Sequence, residues 1–185
     1  MKDIIKKSLV TLKNEGVISL SKKSYNYVKY RFTNKYKHYF NDILIINGCT
    51  LPHPQRYRVD HQIEQLLASG IYAERINYTD LTLDKLKYYR GFIFYRCPIT
   101  PVVEEFIKTA KEENKAVFFD IDDLVIDKKY TDTIKFVKEM KKEDKAIYDD
   151  GVERMQKTLK MCDYAITTTE RLAEELKKYT KEVYI

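Results

Sequence analysis

The chain has 185 residues, 44% apolar and 34% charged, which is enough to bury one substantial core and excludes a disordered, fibrous or disulfide-stapled protein. Its net charge of +6 is unevenly spread, because residues 1–40 hold ten lysines and arginines against Asp3 and Glu15, and the remainder holds 24 basic and 26 acidic residues. Cys49, Cys97 and Cys162 are odd in number and form no CxxC pair, as expected of free thiols in a reducing compartment. No apolar run of about 18 residues and no secretory leader is evident, so the expectation is a cytoplasmic protein.

The first forty residues read as a basic amphipathic helical extension. Ile4, Ile5, Leu9, Val10 and Leu12 recur at helical spacing, Glu15-Gly16 makes a break, and Val17, Ile18 and Leu20 follow. A second helical stretch from Ser21 to Phe40 places Tyr25, Val28, Phe32, Tyr36 and Tyr39 three or four apart, with lysines and Arg31 between them. Two uses fit this pattern. A cationic helix with an aromatic face can lie in an anionic membrane surface, each basic side chain there contributing about 1 kcal/mol; alternatively, the stripe packs on the domain and the lysines face water. Nucleic acid is not expected as a partner, since no recognised nucleic-acid motif accompanies the charge.

From Asp42 onward short apolar runs alternate with amphipathic stretches, the pattern of βαβ units, so residues 41–185 are expected to form an α/β domain with a Rossmann-like parallel sheet flanked by helices. Ile43–Ile46 reads as a strand buried on both faces, ending at Asn47-Gly48. A loop with two prolines follows, then a helix from Arg56 or Tyr57 through Val59, Ile63, Leu66 and Leu67 to a stop at Gly70. Further strands are expected at Ala73–Ile76, Phe92–Tyr95, Ala116–Phe119, Tyr164–Ile166 and Val183–Ile185. Between them fall a short helix near Asp84–Tyr88, a helix opened by Pro101, a polar helical region from Asp132 to Cys162, and a helix capped by Thr168 or Thr169 and ending near Tyr179.

Ligands of an open parallel sheet bind beyond the carboxyl ends of its strands, so the residues that follow each strand are the site candidates. These are Asn47, Gly48, His53, Gln55, Arg56, Tyr57 and Arg58; then Arg96 and Cys97; then Asp120, Asp122 and Asp123; then Thr167 to Glu170. Two arginines at a helix head run against the helix dipole and favour an anion there. That anion is either a ligand or the aspartate cluster itself.

Phe118-Phe119-Asp120-Ile121-Asp122-Asp123-Leu124 resembles the first motif of the haloacid-dehalogenase superfamily, in which the first aspartate is a nucleophile and the second an acid/base beside Mg²⁺. Leu124 departs from the Thr or Val usual there, the motif normally opens its domain, and no later acidic pair follows a strand. A wider resemblance links the chain to the N-terminal half of GT-B glycosyltransferases of the family-4-like group that build bacterial surface polysaccharides. It is carried, in order, by Ile43–Ile46 with Gln55–Val59 and Gln62–Leu66, by Ile93–Arg96, by Phe119–Leu124, and by Asp163–Glu170 before Leu172-Ala173; such enzymes also begin with a basic helical preamble.

That resemblance implies the acceptor-side half of an enzyme moving a sugar from a nucleotide-sugar donor to a glycan or lipid-linked acceptor. The donor would be held mainly by a second domain expected beyond Ile185. By the same correspondence Asp122 or Asp123 would lie near the sugar as the catalytic candidates, and Arg58 would face donor phosphate or acceptor. Asn47, Gly48, Arg56, Tyr57, Arg96, Asp120 and Thr168 complete the expected substrate-binding set. No cofactor is expected, and the aspartates are not assigned as metal ligands, because the GT-B fold does not itself need a metal. A phosphatase of the dehalogenase type and a non-catalytic Rossmann-like binding module are the alternatives.

Overall fold

The computed structural model describes residues 42–49 and 51–185, together with Val17 and Ser21. The chain divides into two units, Met1–Tyr39 and Phe40–Ile185; the amphipathic pattern and membrane contact expected of residues 1–40 lie outside the described residues, apart from those two positions.

Six parallel strands build the second unit: β1 (Ile43–Asn47), β2 (Ala73–Asn77), β3 (Gly91–Tyr95), β4 (Ala116–Asp120), β5 (Tyr164–Ile166) and β6 (Glu182–Tyr184), in the order β2-β1-β3-β4-β5-β6. The sheet is flanked by helices, as the alternating pattern requires. Helix α1 spans 52–68 without a break but changes pitch, being α-helical over Pro52–Gln55, π-helical over Arg56–Asp60 and α-helical again over His61–Ala68. After it come α2 (Pro101–Glu112), two short helices α3 (Lys128–Thr131) and α4 (Lys135–Lys138), the long α5 (Lys142–Met161), and α6 (Glu170–Leu176). Tyr78–Asp80 and Leu83–Tyr88 are 3-10 turns.

The proline segment is helix rather than loop. Pro52 occupies the first turn, where no backbone N–H is needed and its fixed φ suits the helix. Thr100 caps α2 by accepting from Val103 N at 3.1 Å, with Pro101 just inside. The polar helical region expected from Asp132 to Cys162 holds two helices, α4 and α5, parted where Lys141 is extended (ψ 151°) at the head of α5. Thr169, not Thr168, caps α6, which ends at Leu176.

Alternation along the strands divides the core in two. Leu44, Ile46, Phe92, Phe94, Val117 and Phe119 face α2 and α5, meeting Val103, Phe106, Ile107, Ala110 and Leu159; the Phe92 and Phe106 rings make an edge-to-face pair 4.7 Å apart. Ile45, Ile93 and Tyr95 pack on the other side with Val59, and Ile63 and Phe118 lie against them. That second face therefore belongs to α1, and it carries the polar residues described next.

Candidate functional site at the carboxyl ends of β1, β3 and β4

β1 leads to β2 on one side, whereas β3 continues the sheet on the other. The connections leaving β1 and β3 thus part company, which opens a crevice at the carboxyl edge of the sheet. Asn47, Tyr95 and Asp120 stand in register across the last row of β1, β3 and β4. The loops after β1 and β3 touch at Gly48, whose N–H donates to Tyr95 O at 2.8 Å. A Cβ there would collide with the backbone of Arg96 and Cys97, so this crossing requires glycine.

The first polar couple lies beneath α1. Asp120 is fully buried, accepting from Arg58 (2.5 Å) through one carboxylate oxygen and from Gln62 Nε2 (3.0 Å) through the other. The π turn includes Arg58, and its closing hydrogen bond runs from His61 N to Arg56 O, five residues back; such turns add a residue to the helix and re-aim its neighbours. Burial pushes the Asp120 carboxyl up to about 6, outweighing the opposite pull of Arg58 and Gln62. Arg58 Nε and Gln62 Oε1 are themselves buried without a hydrogen-bond partner.

Arg96 forms the second couple. Its Nε and Nη2 bind Asp122 Oδ1 at 2.8 and 2.7 Å, and Asp123 lies 3.8 Å from Nη2. Tyr95 donates its hydroxyl to the same Asp122 oxygen at 3.3 Å. Arg96 has φ +42°, a left-handed conformation uncommon for a residue with a side chain, and its N–H is tied to Asp120 O at 3.0 Å. Burial raises the Tyr95 phenol well above its ordinary range, against the pull of Arg96; Asp122 and Asp120 both act on it, so the two couples form one electrostatic cluster. The chain then returns beneath the cluster, with Ile121 N donating to Ile166 O and the buried Thr167 hydroxyl to Ile121 O.

The expected site residues separate into three groups. Arg58, Arg96, Asp120, Asp122 and Asp123 converge. Asn47 and Gly48 are close by, but as framework: Asn47 is fully buried, its amide donating to Gln55 and its Oδ1 accepting from Cys49 N. Arg56, Tyr57 and Thr168 stand apart. Arg56 pairs with Glu64 on its own helix rather than with the aspartates, Tyr57 is exposed with its ring edge-on to His61, and Thr168 is exposed in the bend before α6. The expectation of two arginines at a helix head is corrected accordingly, since the helix starts four residues before Arg56.

Gln62 and Tyr148 are members that position alone did not identify. Burial and the Asp123 charge raise the Tyr148 phenol, and Arg96 acts against them, which puts this α5 residue beside the second couple. Gln62 lies one helical turn from Arg58, a spacing that shares a face and was the available signal. Nothing local in the sequence ties Tyr148 to Asp123.

The three thiols are free, and burial raises that of Cys97 far above the range of a reactive cysteine. Among the described residues no set of three or more His, Cys, Asp or Glu is placed to hold a metal ion, and no helix among them is long and apolar enough to cross a membrane. For the dehalogenase chemistry this donor set does not fit: the would-be nucleophile Asp120 is closed off and bound on both oxygens, and one oxygen of Asp122 is already taken by the Arg96 guanidinium and the Tyr95 hydroxyl. No family model, curated relative or solved structure matches the chain.

Proposed function

We propose that this chain is the acceptor-side half of a glycosyltransferase that moves a sugar from a nucleotide-sugar to a hydroxyl-bearing glycan or lipid-linked acceptor. The observation that carries this reading is the convergence of two arginine–aspartate couples, Arg58–Asp120 and Arg96–Asp122, with Asp123 and two tyrosines at the switch point of a parallel sheet. The ordered resemblance of four sequence passages supports the same class. Sugars are bound by carboxylates that accept from hydroxyl groups and by guanidinium groups that donate to ring, hydroxyl or phosphate oxygens. Asp123, about half exposed, and Asp122 beside it are the groups open to such a partner, whereas Asp120 holds Arg58 in place.

In transfer, the bond from the anomeric carbon to the diphosphate oxygen breaks, a bond to the acceptor oxygen forms, and the acceptor proton must leave. Asp122 or Asp123 receives that proton or orients the hydroxyl, and Arg58 or Arg96 faces the phosphate. The test is nucleoside-diphosphate release from nucleotide-sugars, with a glycan acceptor, by the product of the complete reading frame. Asp122→Asn and Asp123→Asn together are expected to lower kcat by at least 100-fold in a protein that still unfolds cooperatively, and the 185-residue chain alone to give no turnover. Mg²⁺-dependent phosphate release lost in Asp120→Asn would instead support the phosphatase. Ligand binding without turnover by the complete product would support a binding module.

A further inference from the structure

The opposite end of the sheet carries a basic cleft that the transfer reading does not use. It has a volume of about 310 Å³ and is lined by Lys111, Lys160, Lys177, Lys178 and Lys181 around Cys162, Asp163, Tyr179 and Thr180. These positions belong to the last turns of α2 and α5, the exit of α6 and the entries to β5 and β6. Helices of a parallel α/β unit run against the strands, so their carboxyl ends gather at this edge. Lysines there are ordinary partners for helix dipoles.

The question is whether the dipoles account for all of them. Three helix ends supply about half a negative charge each, and Asp163 is the one acid in the lining. Lys111 and Lys181 already share Asp163, at 3.0 and 3.3 Å, and Lys178 turns to Glu175 at 2.6 Å. Lys160 donates to the neutral Gln156 and lies 5.7 Å from the Tyr179 ring centroid, while Lys177 has no ionic partner among the described residues. With Glu175 counted beside Asp163 and the three helix ends, the five positive charges exceed the local negative charge by about 1.5. A surplus gathered around one open cleft adds its field at the place where a small anion would sit. The floor is also fixed, because Thr180 donates its hydroxyl to Cys162 O and Asp163 O, tying the α6–β6 connection to the start of β5.

We propose that this cleft binds a phosphate group of a phosphorylated ligand, in a second site distinct from the carboxyl-end cluster and independent of the transfer reading. Lys160 and Lys177 supply the charge left over after the internal pairs are made.

Pyrophosphate titrated into the ¹⁵N-labelled chain is the direct probe of a free phosphate. Saturable amide shifts are expected at residues 160–163 and 177–181, with affinity falling as salt rises because screening shortens the electrostatic reach to about 8 Å at physiological ionic strength. Lys160→Gln/Lys177→Gln/Lys181→Gln should weaken binding at least tenfold, and Lys177→Gln alone should weaken it severalfold, which keeps the test valid if the triple variant is unstable. Vesicles of phosphatidic acid in phosphatidylcholine are the second arm, in a Lys22→Gln/Lys23→Gln/Lys29→Gln background that lowers the contribution of the N-terminal segment. Vesicle binding lost in the cleft variant and competed by pyrophosphate assigns the phosphate to a lipid headgroup. Pyrophosphate binding with vesicle sedimentation indifferent to the cleft variant assigns it to a soluble ligand. Shifts absent from both segments, or shifts and vesicle binding that survive the triple variant, overturn the site.

Discussion

Asp120 shows how a residue can define a site while weakening the fold. Its carboxyl, raised by burial to about 6, starts from about 3.9 in an unfolded chain. The folded state therefore holds a proton between about pH 4 and 6 that the unfolded state has lost. Its contribution to stability is fully present below pH 4 and is lost as pH rises through 6, a difference of about 3 kcal/mol at 1.36 kcal/mol per unit. Asn resembles the neutral acid, and the unpartnered Gln62 Oε1 can accept from its amide once the glutamine flips. Asp120→Asn is thus expected to gain about 1–3 kcal/mol in urea unfolding at pH 7.5 and close to nothing at pH 4.5. A variant less stable than the parent at pH 7.5 would mean that the Arg58 pair outweighs desolvation. At Arg96 the strain is in the backbone: a left-handed φ is retained where the side chain must turn back onto Asp122.

Among the elements, the loop crossing at Gly48 and the π turn of α1 decide whether these side chains meet. Alanine at Gly48 would press on the Arg96 and Cys97 backbone, which cannot yield as a flexible side chain would. Gly48→Ala is expected to cost about 1–3 kcal/mol in denaturant unfolding and to shift the Arg96 and Asp122 amide resonances. Unchanged stability and spectra would show that the loops are free to part. Phe106→Ala, at a fully buried ring paired with Phe92, should cost about 3–5 kcal/mol without those local shifts. Much at this scale was legible. Continuous apolar runs marked β1, β3 and β4 because the interior of a parallel sheet is buried on both faces, and Pro101 marked a helix start because its missing N–H and fixed φ suit a first turn. Gly70 also served as a stop: it has φ +77°, and the N–H groups of Gly70 and Ile71 bond back to Leu67 O and Leu66 O. The proline segment misled because turn and first-helical-turn signals share the same residue. Arg56 misled for another reason, since adjacency in sequence does not choose between a partner on the same helix and one on another strand.

For the molecule as a whole, the parallel sheet gives the domain two unlike ends. The carboxyl end gathers arginine–aspartate couples beside the switch point, and the amino end gathers lysines at helix exits. Strand order was not readable from the sequence, because each run is compatible with either neighbour until the helices pack. Asp120, Asp122 and Arg96 could be listed as candidates from their place after strands, but Tyr148 could not, being brought in only by the long return of α5. The central claim is that the carboxyl-end cluster receives sugar. The most direct measurement is titration of the ¹⁵N-labelled chain with a panel of nucleotide-sugars and short glycans, followed at Arg58, Arg96, Asp122, Asp123 and Tyr148. Saturable shifts at these residues by at least one glycan or nucleotide-sugar, weakened tenfold or more in Asp122→Asn/Asp123→Asn, are the predicted result. A panel that shifts none of them, with the chain folded throughout, would contradict it.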